Sequence, residues 1–268
     1  MIEKGINSIL TPIIKKTMKY IIAFIEQKKQ EFAKLPLFDF IANKNIHPNQ
    51  RLIFAPVLGP LAVGLSDLNK YVLRDSSSNH KVQELINKYT YTENYYWQGY
   101  LEYLKELGFN QSMSYGDFRL LWGEEAKKTR SLCSTLERYA FEASPIQKMV
   151  LVEVLEGTAT VFFEAALQVL MELQQITKKE YVYFGGGYVY LGNHRILDTP
   201  EMLQVLEEIK LTDLENQQAL ELAEKVFELF TEAMNELFGN TKTNSCNTVL
   251  QVASVSGFDS PIECLEFL

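Results

Sequence analysis

Residues 144–173 read SPIQKMVLVEVLEGTATVFFEAALQVLMEL. Ser144 followed by Pro145 marks a helix start: a side-chain cap, then a proline at the first helical position, where its missing N–H has no partner to lose. From Met149 onward the stretch is apolar almost all round, which predicts a central helix enclosed by other helices. Inside it stand Glu153 and Glu156, three apart and hence on one face, with Thr160 a turn further on. A buried charge is costly unless something satisfies it. Either these acids belong to a site, or they line a wet groove or pair with Arg119, Arg130 or Arg138; the pattern alone leaves both open.

Helical periodicity dominates the rest of the chain. It predicts helices at about 2–34, 48–75, 80–108, 114–142, 144–177, 198–210 and 212–238, an all-α bundle of about seven helices. The boundaries are punctuated. Asp75 to Asn79 (DSSSN) reads as a loop that caps the next helix, Gly108 ends that helix, and Ser114 caps the following one. Thr212-Asp213-Leu214-Glu215 has the form of a capping box. Pro56 and Pro60 fall inside an apolar run, LIFAPVLGPLAVGL (52–65), and predict a kink there. The run is short for a bilayer span and reads as a buried core helix, so no transmembrane segment is expected. Three glycines in YFGGGY (183–188) predict a break or a close-packing point. The expected organisation is one helical domain over 1–240, with an N-terminal amphipathic helix and linker over 1–47 and a core over 48–238. A less regular tail, 241–268, follows it, packed on the body or flexible.

Charge and cysteine content narrow the function classes. The net charge is −8, yet residues 1–50 carry eight lysines against four acids, so the remainder is strongly acidic. An acidic body offers no basic footprint for phosphates, which excludes nucleic acid as a main partner. Ile14, Met18, Ile21, Ile22 and Ile25 recur at helical spacing among the lysines and predict an amphipathic helix. Cys133, Cys246 and Cys264 are scattered and odd in number, the pattern of a reducing compartment; with no signal sequence visible, a cytoplasmic location is expected. Cys133 is expected to be a buried inert thiol, His47 a cap or surface residue, and His80 solvated. No GxSxG, P-loop or HExxH motif is present.

A second acid stands in an unusual setting. Along NKYTYTENYYW (87–97) and its continuation, Ile86, Tyr89, Tyr96, Tyr100 and Leu104 form an aromatic and apolar face, and Glu93 sits in its middle. Phenol donors such as Tyr89, Tyr96 and Tyr188 could satisfy that carboxylate, or it could be protonated.

Five segments taken in order carry a family resemblance. They are RLIFAPVLGPLAVGLSDLNKYVLR (51–74), NKYTYTENYYWQGYLEYLKELG (87–108), RLLWGEEAKKTRSL (119–132), VLVEVLEGTATVFF (150–163) and YVYFGGGYVYLGNH (181–194). Together the chain resembles the haem-oxygenase-like superfamily, which includes TenA, PqqC and CADD. The likeness is greatest to its di-iron oxidases, the iron-containing redox enzyme family, over about residues 48–238. The resemblance implies a haem-oxygenase-like helical bundle and, in the di-iron members, a site of six carboxylate and histidine ligands. Glu93 stands where the first acid is expected, Tyr96 where its histidine should be, and Trp97 keeps the frame. The next helix offers Glu153 or Glu156, and His194 matches the last histidine, whereas Gly187 and Leu191 fall where a histidine and an acid belong. The metal motif is thus degenerate, and iron needs more imidazole and carboxylate donors than remain.

Two functions follow from the resemblance. In the first the protein is non-catalytic or binds a small apolar or aromatic molecule in a central cavity lined by Tyr89, Tyr96, Trp97, Tyr188 and Tyr190, without a cofactor. In the second it is an oxidase with an altered iron or manganese site at Glu93, Glu153, Glu156 and His194, acting on an amino-acid-like or fatty-acid-like substrate. Relatives of this kind are often homodimers.

Overall fold

The computed structural model describes residues 17–92, 96–110, 112–181, 204–206 and 208–242. Among the described residues the protein is all-α, with no strand beyond an isolated antiparallel bridge between Thr17 and Lys210. Ten α-helices follow one another: α1 Met18–Phe32, α2 Pro36–Ala42, α3 Pro48–Arg51, α4 Gly59–Asp67, α5 Lys81–Thr92, α6 Tyr96–Glu106, α7 Tyr115–Trp122, α8 Lys127–Phe141, α9 Pro145–Thr177 and α10 Asp213–Lys242. Residues 1–16, the glycine run 185–187 and the tail from 243 lie outside the described residues, as does most of the helix expected at 198–210.

Helix α9 is the axis. Every residue from Lys148 to Thr158 is buried, as the all-round apolar pattern requires. Beyond that stretch burial narrows to one stripe, Val161, Ala166, Val169, Leu170 and Leu173. Helices α1, α2, α3, α5 and α10 pack around it. The start is built as expected: Ser144 Oγ accepts from Gln147 N, and Gln147 Oε1 accepts from Ser144 N at 2.9 Å. Helix α10 presents Ala219, Ala223, Val226, Phe227, Phe230, Met234 and Leu237 to the core at helical spacing. The Thr212–Glu215 capping box opens it.

The N-terminal helix is amphipathic as expected. Met18, Ile21, Ile25 and Phe32 are buried, while Lys28 reaches Glu224 of α10 at 3.0 Å, a contact that raises the lysine's pKa. A helix absent from the sequence reading, α2, follows it; Pro36 at its start and buried Leu37, Phe38 and Ile41 account for it.

Two long helices expected from periodicity are interrupted among the described residues. The run 48–75 is α3, a 3₁₀ turn at Ala55–Leu58, α4, and a π-helical segment at Leu68–Leu73. Pro56 and Pro60 supply no N–H, so a continuous α-helix cannot close there. Gly59 N donates to Pro56 O, and Tyr100 Oη donates to Ala55 O at 2.6 Å. The last carbonyls of the π segment are held by side chains: Lys148 Nζ donates to Val72 O at 3.1 Å and Gln83 Nε2 to Leu73 O at 2.8 Å. Pro48–Leu73 is long and apolar enough to cross a membrane by length and composition, but 56% of its most apolar window is buried within the fold. The stretch 114–142 breaks at Gly123 into α7 and α8, and the start of α8 is capped from α10 by Glu236, which accepts from the Lys128 and Thr129 amides. In 80–108, α5 and α6 flank residues 93–95, which lie outside the described residues.

Several punctuation residues behave as read. Gly108 adopts φ +91 and closes α6 as Phe109 N reaches back to Leu104 O. Ser114 forms a reciprocal cap with Asp117. His47 and His80 each cap a helix through Nδ1, accepting from the Asn49 and Val82 amides, so the cap of α5 is His80 and not the serine-rich loop before it.

One buried cation of the fold was not foreseen. Arg51 is 1% exposed; one Nη donates to Ile41 O and the other pairs with Glu172 of α9. Buried guanidinium is tolerated when paired and hydrogen-bonded. Arg130, one of the expected partners of the buried acids, instead donates to the carbonyls of Leu121 and Gly123.

Close packing of α4 on α8 depends on Gly64. A Cβ there would lie 2.5 Å from Cys133 Cβ and 2.7 Å from its Sγ. Gly64→Ala is therefore expected to lower the unfolding free energy by about 1–3 kcal/mol through overpacking. Cys133→Ala should restore only part of the loss, because the Cβ contact persists; chemical denaturation of the three variants measures this.

Candidate functional site

The two acids of α9 are both buried, Glu153 at 4% and Glu156 at 7% exposure. Their surroundings differ. Glu156 faces a cavity of about 140 Å³ between α4, α5, α6, α9 and α10, whereas Glu153 does not line it. The choice between them that the sequence left open thus falls on Glu156 for the cavity.

Tyr89 of α5 supplies the partner. Its phenol donates to Glu156 Oε1 at 2.5 Å across the helix interface, and Tyr89 itself is 5% exposed. Short O–H···O contacts to a carboxyl are among the stronger hydrogen bonds. Tyr89 was among the donors expected for Glu93, which lies outside the described residues; among those described it donates to Glu156. Thr160, on the same helix, turns its hydroxyl back to Glu156 O at 2.7 Å.

The remaining walls are apolar. Phe162 stands edge-on to Phe54 and to Phe163, and Phe32 edge-on to Phe230, so rings from α1, α9 and α10 close the space. Ala62, Leu65, Ala159, Phe162 and Phe163 are half-buried and form its more open side. Polar groups are few. Tyr100 lines the cavity with its hydroxyl committed to Ala55 O, and Thr158 bonds the carbonyls of Val154 and Leu155 within its own helix.

Ser66 and Asn69 are the residues that the sequence reading passed over. Both are 5% exposed and both line the cavity, at the junction where α4 gives way to the π segment. Ser66 Oγ and Asn69 Oδ1 are buried with no hydrogen-bond partner among the described residues. A signal existed: in LAVGLSDLN (61–69) they are polar residues three apart in an apolar run, hence on one face. It was obscured because the stretch reads first as a core helix.

Of the expected aromatic lining, Tyr89 is in place. Trp97, the second residue of α6, is half-buried and is not among the described residues that line this cavity, which α6 reaches through Tyr100. Tyr188 and Tyr190, the side chain of Tyr96, and the expected ligands Glu93 and His194 lie outside the described residues. Among the described residues no three His, Cys, Asp or Glu side chains converge as a metal would require. Glu153 and Glu156 alone are too few donors for iron or manganese.

Cys133 lies near this region, 5% exposed, with Sγ 3.5 Å from Leu61 O. Burial pushes its thiol well above the ordinary range, with Glu137 and Asp67 adding to the shift, so the thiolate needed for nucleophilic chemistry is not formed at neutral pH. Burial likewise raises Tyr103.

In comparisons with protein-family models and with curated proteins, the chain matches none.

Removing the Tyr89 hydroxyl deprives a buried carboxyl of a donor. Tyr89→Phe is expected to cost about 1–3 kcal/mol of stability. Tyr89→Phe combined with Glu156→Leu, which deletes both partners, should be less destabilising than the sum of the single changes; a double-mutant cycle in urea checks this.

Proposed function

We propose that the protein is a haem-oxygenase-like helical bundle that binds a small, largely apolar molecule in the cavity beside α9, without a paired-metal centre. The observation that carries this reading is the cavity itself: phenylalanine and leucine walls with few polar groups, which among the described residues are Ser66, Asn69, Tyr100, Thr158 and the Tyr89–Glu156 pair. Ligand sites have this composition, apolar surface for affinity and a few placed polar atoms for orientation. The size suits one ring: an engineered apolar cavity of about 150 Å³ in another protein takes up benzene.

The resemblance adds support of a different kind. It names the second-helix acid of the di-iron relatives as Glu153 or Glu156, and Glu156 faces the cavity. In this chain a phenol occupies one oxygen of that acid. Tyr96, Gly187 and Leu191 stand where ligands would be expected, and these losses weigh against an iron oxidase. Fold likeness does not decide between the two, since function resides in the site.

Thermal unfolding in the presence of ethylbenzene tests the binding claim. A ligand that binds the folded state alone raises the midpoint with concentration. The expected result is a saturable rise, abolished by Ala159→Phe, which fills the cavity from its open side. No rise at the solubility limit contradicts the reading. Metal analysis of protein purified without chelators tests the alternative. Stoichiometric iron or manganese, lost on Glu156→Ala, would establish the altered-site oxidase instead.

A further inference from the structure

Away from the cavity, helix α7 turns an aromatic face to solvent. Tyr115, Phe118 and Trp122 stand three and four residues apart and so share one side of the helix. All three are at least half exposed, Tyr115 at 83%, and Met113 just before the helix is exposed with them. The rings of Phe118 and Trp122 stack in parallel, their centroids 4.6 Å apart. None of these residues lines the cavity. The helix that carries them is firmly built. Leu120 and Leu121 are buried, Ser114 and Asp117 cap its start, and Arg130 donates to the carbonyls of Leu121 and Gly123 at its end. An apolar patch held in place on the surface marks an interaction site.

The chain's own continuation starts beside this face. Asn240 Nδ2, in the last turn of α10, donates to Glu125 O at 2.8 Å, and Glu236 one turn earlier accepts from the Lys128 and Thr129 amides. Glu125 follows Trp122 by three residues, a distance of at most about 11 Å even for extended chain. The described residues end at Lys242, so residues 243–268 set out from the foot of α7. At about 3.3 Å per residue, about six residues span 20 Å, more than the whole of α7 at about 1.5 Å per residue. The first apolar stretch of the tail comes at that separation: NTVLQVASV (247–255), with Val249, Leu250, Val252 and Val255. Charge agrees. Arg119 is exposed on α7 and forms no ion pair among the described residues. The tail carries Asp259, Glu263 and Glu266 and no lysine or arginine.

We propose that residues 247–255 dock on the face of α7 formed by Tyr115, Phe118 and Trp122. Val249, Leu250 and Val252 cover the stacked rings, and the acidic residues beyond them meet Arg119. The contact joins the α7–α8 turn to the end of α10 a second time, next to the Asn240–Glu125 bond. A tethered segment holds the face at the high effective concentration that a short connection gives, so a second copy of the chain would have to displace it.

Two measurements on the full chain test this. In Trp97→Phe, Trp122 is the sole tryptophan. Its quenching by acrylamide is expected to be weak, and to rise at least twofold when Val249→Asp and Val252→Asp are added. Amide hydrogen exchange needs no tryptophan replacement and serves alone if Trp97→Phe does not fold. It is expected to be at least tenfold slower over 247–255 in the native chain than in Phe118→Ser, a change at an exposed position. A quenching or an exchange rate that does not respond overturns the proposal. So does a dimer on gel filtration that Phe118→Ser dissociates and the two tail substitutions leave intact, which gives the face to a second copy. Each of these outcomes leaves the cavity-binding reading untouched.

Discussion

A carboxyl group on the most enclosed stretch of the central helix sets the terms for this structure. Glu156 lies within a run in which every residue from Lys148 to Thr158 is buried, and such a position is stable only with a hydrogen-bond donor aimed at it. Tyr89 supplies one from α5. That requirement fixes the approach of α5 to α9, and with it one wall of the cavity. The neighbouring helices fill the remaining sides with aromatic and aliphatic groups.

The second constraint is the stretch from Pro48 to Leu73. Two prolines and a change to π winding prevent it from packing as one straight rod. Side chains from elsewhere take up the carbonyls left over: Tyr100 at Ala55, Lys148 at Val72 and Gln83 at Leu73. Each of those contacts is long-range in sequence or crosses an element boundary, so the irregular segment is held by the surrounding bundle. The cavity opens beside this irregular wall. Gly64 sets the other side of the same segment against α8.

Much of the architecture was legible in the sequence because it rests on local rules. The capped start of α9 at Ser144-Pro145, its enclosure, the capping box at Thr212 and the stop at Gly108 all follow from short-range chemistry. The breaks were less legible. Periodicity runs unchanged through Gly123, and a stretch such as PLFDFIA is too short for its period to register, so α2 went unread. Buried polar contacts were least legible, since they join residues distant in sequence. Arg51 gave no sign of its pairing with Glu172, nor Tyr89 of its bond to Glu156. Ser66 and Asn69 were visible as a polar pair in an apolar run, yet only the fold shows that no described group bonds Ser66 Oγ or Asn69 Oδ1.

These features converge on a largely apolar cavity built beside one buried acid. The most direct test of that account is a crystal structure of the protein purified from its expression host, read for electron density between Ser66, Asn69 and the Tyr89–Glu156 pair. The account predicts a density larger than a water, lying against the rings of Phe162 and Phe230. A closed space, or one holding water alone, would contradict it.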